Sequence, residues 1–296
     1  PKASVIMKAY CNDLGFGYNP KVFALWGFWL KLFEENLREI NYQAQMARLH
    51  VGVDFDNASL NGLKFHIVGF NDSIDKICVE FFKKFRDFDP SVLKDEFENF
   101  KQKSKETQAN FVTSPPYRQA IDLATIIFHS ETGTLTLPEV SLDIIEQITF
   151  KDVLNFHETF FKTLRFEGLF IGNLTKEKAI ETTKHIEDIL SKMRPNNRVL
   201  PKEAIPELRH FKLEANSTFF YERILPNIEG QEKESNSPII NYYQYDQLTH
   251  EKKLLMLVLC NYIKSPCFNV LRTEEQLGYI VHSGNYAYRD VLGLII

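Results

Sequence analysis

The stretch of residues 265–281 holds the side chains best suited to chemistry in this sequence. Arg272 falls on the last turns of a predicted helix, and Tyr279 follows the end of that helix and enters a predicted strand. Both can point into the same space and both donate hydrogen bonds, the guanidinium as a charged fork and the phenol as a neutral donor. Such a pair suits a polypeptide carbonyl or a developing oxyanion. The alternative is structural: Arg272 pairs with Glu274 or Glu275, and Tyr279 packs in the sheet.

Histidine spacing does not predict a local metal site. The sequence has eight histidines, and the closest two, His50 and His66, are 16 residues apart. A helix-borne zinc site needs histidines at positions i and i+4, and the chain has neither that pair nor a CxxC motif. A site assembled from distant histidines stays open, but ordinary surface or hydrogen-bonded histidines are favoured. The sequence also lacks a G-x-S-x-G elbow, a P-loop and a G-x-G-x-x-G motif.

Composition describes a globular protein without a marked charge. The 296 residues are 44% hydrophobic and 25% charged, which excludes global disorder and predicts roughly two domains. A net charge of −4 argues against a nucleic-acid binder. The longest apolar run, Val22–Leu30, is far shorter than the about 20 residues that a membrane span needs. Four cysteines without a CxxC pair predict reduced thiols in an intracellular, cytoplasmic protein.

The elements that position these residues fall into two related units. In the first unit, a long helix from Pro20 to about Ala47 is N-capped by Asn19 and is apolar nearly all round at its start. The other predicted elements are a strand over 4–10, a hairpin of strands 49–55 and 63–70, amphipathic helices from residue 74 onward, a strand over 165–171 and a helix over 175–193.

A proline-rich segment precedes the second unit. Pro195, Pro201 and Pro206 predict a linker over 196–208. Beyond it we predict strands over 210–213, 217–225 and 239–245, a buried helix at 254–260, a helix C-cap at Gly278, and a hairpin of strands 279–281 and 291–296.

The second unit repeats the first at an offset of 228 residues. Leu63 and Val291, which begin the second hairpin strand of each unit, differ by 228, and the same shift places Leu254 opposite Trp26 in the two apolar helices. We therefore predict an internal duplication. The expected domains are 1–195, a linker over 196–208, and 209–296 as the first part of a second domain. The fold class is α+β, with repeated domains that each consist of an antiparallel-dominated sheet covered by helices.

Residues 265–284 resemble a signature of one peptidase family. The sequence SPCFNVLRTEEQLGYIVHSG is similar to the pattern Leu-Arg-Thr-x-Glu-Gln-Leu-Gly-Tyr of the insulin-degrading-enzyme (insulysin) branch of the pitrilysin-type zinc metallopeptidases. Looser similarity, in matching order, covers Pro1-Lys2-Ala3, Val68–Asp72, Gly172–Thr175 and the final Gly-Leu-Ile-Ile. The resemblance implies four homologous domains arranged as two halves around a closed chamber. This chain would be the third domain and the beginning of the fourth.

The resemblance also implies a division of labour. The N-terminal half of such an enzyme binds zinc through HxxEH and a downstream Glu, whereas the C-terminal half is catalytically degenerate and contributes to peptide binding. The corresponding helix here, Val22–Trp29, contains no His or Glu, so we expect no catalytic residue and no bound metal in this segment. Arg272 and Tyr279 match the positions that reach the substrate near the scissile bond, and we expect them to bind substrate.

The resulting expectation is a zinc metalloendopeptidase for small polypeptides, of which this segment is inactive alone. Its expected partners are the N-terminal catalytic half of the same polypeptide, peptide substrates and, as an option, a second copy in a homodimer. The alternative is a catalytically inactive structural or partner subunit of the same fold, as in processing peptidases and respiratory core proteins.

Overall fold

Helices and strands follow one another along the chain as in an α+β protein. The computed structural model describes residues 2–11, 19–55, 62–128, 135–160, 162–192, 198–199, 201–204, 212–224, 235–288 and 291–296. The strands are β1 (Lys2–Cys11), β2 (His50–Phe55), β3 (Gly62–Phe70), β4 (Thr163–Gly172), β5 (Arg198–Val199), β6 (Tyr242–Gln247), β7 (Gly284–Tyr288) and β8 (Val291–Ile295). The helices are α1 (Pro20–Asn36), α2 (Arg38–Met46), α3 (Asn71–Arg86), α4 (Lys94–Ala109), α5 (Pro116–Phe128), α6 (Pro138–Gln147), α7 (Phe150–Phe160), α8 (Lys176–Ser191) and α9 (His250–Phe268).

These elements pack as two units, each with its own sheet. The first unit is Pro1–Gln108 with Glu139–Leu208, and the second is Ala109–Pro138 with Arg209–Ile296. Packing assigns the segment 109–138 to the second unit, whereas the domain bounds expected from the sequence count it in 1–195. Those bounds concern family-type domains rather than packing, and they stay a prediction. Most of the expected linker lies outside the described residues.

The first unit is built on a five-stranded sheet in the order β2-β3-β1-β4-β5. Its strands are antiparallel except for the short parallel pair β4 and β5. Strand β1 lies in the middle, paired with β3 on one side and β4 on the other. Its side chains alternate between the two faces, and Ala3, Val5 and Met7 turn into the hydrophobic core. The opposite face of the sheet carries polar and partly exposed side chains.

Helix α1 is buried because most of its surface is apolar. Asn19 caps its start, with Oδ1 accepting from the backbone N–H of Lys21 at 3.0 Å, and Pro20 occupies the first turn as expected. Trp26 and Trp29 are almost fully buried among aromatic rings of the first unit. The single helix expected from Pro20 to Ala47 is two helices, α1 and α2, which are separated at Leu37.

The second unit repeats the topology of the first. Its three strands lie in the order β6-β8-β7 and are antiparallel. Read from the other edge, this is the order β2-β3-β1 of the first unit, with α9 in the place of α1. Strand β8 begins at Val291 and α9 spans Leu254, as the 228-residue offset predicts. Shared strand order and connection support the predicted duplication.

Helix α9 differs from the expected buried helix. Only Met256 and Cys260 are buried, while Leu254 is 63% and Val258 is 69% exposed. Hydrophobic contacts cover just one side of this helix among the described residues, through Leu292 and its neighbours. By length and composition the helical stretch His250–Glu274 could cross a membrane. Core helices of soluble proteins can share this length and composition.

Two expected strand assignments in the second unit are wrong. The described part of 217–225 is irregular, and the strand that follows α9 lies at Gly284–Tyr288 instead of 279–281. Residues 275–283 stay outside the sheet because the helix ends in a wide turn at Asn269–Glu274 just before them. His210 and the hairpin turn 56–61 lie outside the described residues.

Candidate functional site

The helix that carries the candidate site has a regular start and an irregular end. Thr249 caps α9, with its hydroxyl accepting from the backbone N–H of Lys252 at 3.2 Å. Pro266 lies inside the last turns and cannot donate a backbone hydrogen bond there. The chain then continues as a π-helical segment, Asn269–Glu274. Wide turns of this type often occur at functional sites.

Backbone hydrogen bonds that span five and six residues, instead of the usual four, end this helix. The N–H of Glu275 donates to the carbonyl of Val270 at 2.9 Å, and the N–H of Leu277 donates to the carbonyl of Leu271 at 3.0 Å. Gln276 takes the left-handed conformation, with φ 52°. The expected C-cap at Gly278 is therefore wrong, because the residue that reverses the chain lies two positions earlier. This reversal directs the following residues back beside the helix end.

The reversal brings Arg272 and Tyr279 together. The guanidinium carbon of Arg272 lies 5.1 Å from the centre of the Tyr279 ring, a cation–π contact. Such a contact stabilises an exposed pair by about 0.5–1 kcal/mol. Tyr279 is 85% exposed, whereas Arg272 is partly buried. The two side chains therefore share one place on the surface of the second unit.

An open cavity of about 660 Å³ lies at this pair. It is lined by Phe268, Arg272, Thr273, Gln276, Gly278 and Tyr279. Apolar, amide, hydroxyl and cationic groups thus line one shallow, open depression.

The structural alternative for this pair differs from the arrangement found. Among the described residues, Arg272 makes no ion pair with Glu274 or Glu275. Glu274 instead accepts a hydrogen bond from the side-chain amide of Asn269 at 2.5 Å. Tyr279 lies outside the sheet. The guanidinium lies next to the cavity, where its N–H donors suit a carbonyl oxygen or a carboxylate.

The helix that the resemblance leads us to compare with a zinc-binding helix, α1, is part of the core. Leu25, Trp26, Phe28 and Trp29 of the stretch Val22–Trp29 are all buried. Their side chains offer no metal-ligating atoms. Within the described ranges, no group of three or more His, Cys, Asp or Glu side chains is arranged to hold a metal ion.

Sequence reasoning missed one constellation, the pair His50 and His66. Their Nε2 atoms are 3.1 Å apart, although the residues are 16 positions apart in the chain. The signal was present in the hairpin pattern, since residues on paired strands become neighbours once the register is known. In this register His66 lies opposite Gly52, two residues from His50.

Two family models match the chain. The model for the middle or third domain of peptidase M16 matches residues 1–136, and the model for the inactive domain of peptidase M16 matches residues 147–295. The first matched segment contains α1 and the second contains Arg272 and Tyr279.

Known proteins similar to this chain are peptidases that are much longer. The A-factor-processing enzyme of Saccharomyces cerevisiae is 28% identical over 255 residues, which cover 86% of this chain and 23% of that protein. The insulin-degrading enzyme of Homo sapiens is 27% identical over 266 residues, 90% of this chain and 25% of that protein. The chain therefore spans about a quarter of the length of these relatives.

A solved structure with the same fold is that of pitrilysin. It has a TM-score of 0.64 at 17% identity and covers 100% of this chain and 29% of that chain. The expected fold class, repeated pitrilysin-type α+β domains, is thereby confirmed. The family models and the fold agree, and the chain belongs to the M16 peptidase family, of which it carries the middle and the inactive domain segments.

Proposed function

We propose that this chain is the non-catalytic, C-terminal-half segment of an insulin-degrading-enzyme-like zinc metalloendopeptidase that cleaves small polypeptides in a closed chamber. One observation carries the proposal. The residues of the family-like signature, Arg272 and Tyr279, meet at 5.1 Å beside an open cavity although seven positions separate them. A purely structural arginine would be expected to pair with a nearby carboxylate instead.

Arg272 and Tyr279 would bind the peptide. The guanidinium offers several N–H donors in one plane and the phenol offers one O–H donor, which together suit a backbone carbonyl or the oxyanion formed from it. The pair would therefore orient a peptide or stabilise its tetrahedral intermediate. Neither residue is proposed as nucleophile, base or metal ligand.

The remaining chemistry would come from outside this segment. In the proposed enzyme, zinc would be held by an HxxEH half of the same polypeptide and would supply an activated water. The stretch Val22–Trp29 contributes a hydrophobic core in place of ligands. The segment would be inactive alone, and its partners would be that catalytic half and peptide substrates. A homodimer and a cytoplasmic location belong to the same proposal.

The test uses the full-length protein and a fluorogenic peptide. We expect Tyr279→Phe and Arg272→Ala each to lower kcat/KM by about tenfold or more, as for removal of an oxyanion donor. Tyr262→Phe and Arg118→Ala are the matched controls, because Tyr262 is exposed on α9 and Arg118 is an exposed arginine on α5. An equal fall in kcat and kcat/KM indicates transition-state stabilisation, and a rise in KM alone indicates ground-state binding.

Unchanged turnover in both variants would contradict the substrate-binding role. If the full-length protein cleaves no peptide and its other half has no HxxEH motif, the partner-subunit alternative replaces the peptidase proposal. A second experiment adds a separate N-terminal half to this chain, and restored cleavage would support the peptidase.

A further inference from the structure

Two histidines on neighbouring strands of the first unit face each other. His50 on β2 and His66 on β3 lie on the same face of the sheet, in a diagonal arrangement across the hairpin. Their Nε2 atoms are joined by a hydrogen bond of 3.1 Å, and their ring centres are 5.1 Å apart. The rings therefore meet through their Nε2 edges rather than stacking.

Asp54 fixes the orientation of the inner ring. Its Oδ2 lies 3.3 Å from Nδ1 of His66, whose side chain is 24% exposed. A carboxylate at Nδ1 favours a proton on that nitrogen, which leaves the Nε2 lone pair of His66 directed toward His50. A carboxylate behind a metal-ligating histidine orients the ligand in the same way.

Gly52 provides the space for this ring. It lies opposite His66 in the strand register, and a Cβ at this position would come within 2.3 Å of the imidazole. Any other residue here would displace the ring. The position opposite His66 is thus occupied by the one residue type that leaves room for its ring against the backbone of β2.

The separation of the two nitrogens matches a metal chelate. Two nitrogens at about 2.0–2.1 Å from a tetrahedral zinc ion are about 3.3 Å apart, and at a right angle they are about 2.9 Å apart. The observed 3.1 Å lies between these values, and a metal ion would replace the proton that the two nitrogens share in their hydrogen bond. We propose that His50 and His66 form a two-histidine site for a divalent transition metal of the zinc, nickel and copper class, with Asp54 as the positioning carboxylate.

The remaining coordination positions of such a metal would be filled by water. In the described part of the chain no third His, Cys, Asp or Glu joins this pair as a ligand group. Lys64 lies opposite Asp54 on β3 and opposes a cation, whereas the Asp54 carboxylate favours one. The site is therefore of moderate affinity and open to solvent. It departs from the expectation that this segment binds no metal, and it is independent of the proposed peptidase function.

The test is calorimetric titration of the untagged chain with Ni²⁺, a metal that imidazole binds well. The Cys267→Ser background removes the one partly exposed thiol among the four cysteines. We expect His50→Gln and His66→Gln each to lower the Ni²⁺ affinity at least tenfold, and Asp54→Asn to lower it roughly tenfold. The matched control is His185→Gln, which changes an exposed histidine on α8 and should leave the affinity unchanged.

Thermal unfolding provides a second measurement. A metal that binds the folded state raises Tm, so saturating Ni²⁺ should raise Tm in the Cys267→Ser chain and not after the further change His66→Gln. Undiminished affinity in both His50→Gln and His66→Gln would overturn the site, as would a loss confined to one of them. An equal loss in His185→Gln would also overturn it, because binding would then be nonspecific.

Discussion

Trp29 donates a hydrogen bond from its indole Nε1 to Nδ1 of His157 at 3.0 Å, and the two rings are nearly parallel, at 21°. Trp29 is fully buried, so this contact joins α1 to α7 inside the core of the first unit. It is also the kind of polar contact that a buried indole N–H needs.

The Trp29–His157 hydrogen bond should stabilise the first unit measurably. His157→Phe keeps an aromatic ring and removes this acceptor, so we expect the free energy of unfolding to fall by about 1–2 kcal/mol. Urea unfolding followed by tryptophan fluorescence measures this unit, because both tryptophans lie in it. The exposed-site variant His185→Gln should change it by less than about 0.5 kcal/mol. If the losses of unfolding free energy in Trp29→Phe and His157→Phe simply add in the double variant, the two side chains are not coupled and the hydrogen bond between them contributes nothing.

Two glycines should respond in opposite directions to alanine. Gly172 has φ 105°, and a Cβ there would lie 2.6 Å from the carbonyl oxygen of Lys2 on the neighbouring strand. We expect Gly172→Ala to lower the free energy of unfolding by about 1–3 kcal/mol. Gly27, inside α1, has nothing within 4 Å of its Cβ position, so Gly27→Ala should be neutral or stabilising by up to about 1 kcal/mol. The midpoints of urea unfolding compare the stabilities of the two variants. An equal loss of stability in both would contradict backbone strain at Gly172.

The ion pair between Asp75 and Lys178 joins α3 to α8 and should make stability depend on pH. Burial raises the pKa of Asp75, but the hydrogen bond and the charge of Lys178, at 2.7 Å, outweigh burial and lower the pKa below 3.8. A carboxyl with a lowered folded pKa stabilises the protein above its unfolded pKa, and this contribution is lost as pH falls through the folded pKa.

Asp75→Asn should therefore lower the unfolding free energy at pH 6 by up to about 1 kcal/mol, since the pair is partly exposed. The difference from wild type should shrink below about pH 4. Urea midpoints at pH 6 and pH 3 measure it. Asp143→Asn, at an exposed position on α6, should show no such change. A difference that stays constant with pH would show that Asp75 acts through packing alone.

Thiol reactivity should distinguish one cysteine from the other three. Burial raises the pKa of Cys78 to about 12, and Cys11 and Cys260 are also buried, while Cys267 is partly exposed. A thiol reacts as its thiolate and must be accessible. Ellman's reagent at pH 8 should therefore label one thiol quickly in the native chain and all four after unfolding in denaturant. Cys267→Ser should remove the fast reaction, and a fast reaction that persists would place another thiol at the surface.

Local patterns in the sequence predicted much of the first unit. The Asn19-Pro20 cap, the hairpin strands of β2 and β3, and the amphipathic face of α3 are each set by neighbouring residues, so period and capping chemistry suffice to find them. The repeated order of elements also predicted that β8 would take the place of β3. Long-range contacts were not needed for these predictions.

The end of α9 could not be predicted in this way. A left-handed residue was expected at Gly278, yet Gln276 takes that conformation. Pro266 and the wide turn after Asn269 determine where the helix ends, and their effect depends on hydrogen bonds between residues five and six positions apart. The strand predicted at 279–281 depends on a helix that ends at Gly278. Because the chain leaves the helix differently, the strand begins only at Gly284.

By itself the sequence determined the fold class and the family, and it predicted the duplication and the two residues, Arg272 and Tyr279, that we propose bind a peptide. Each of these depends on residue types and spacing that are visible along the chain. Only the tertiary structure decided that the Arg272 guanidinium lies over the Tyr279 ring and that His50 meets His66 beside Asp54. Such distances depend on strand register and on the path of the chain after a helix, and both result from contacts between residues far apart in sequence.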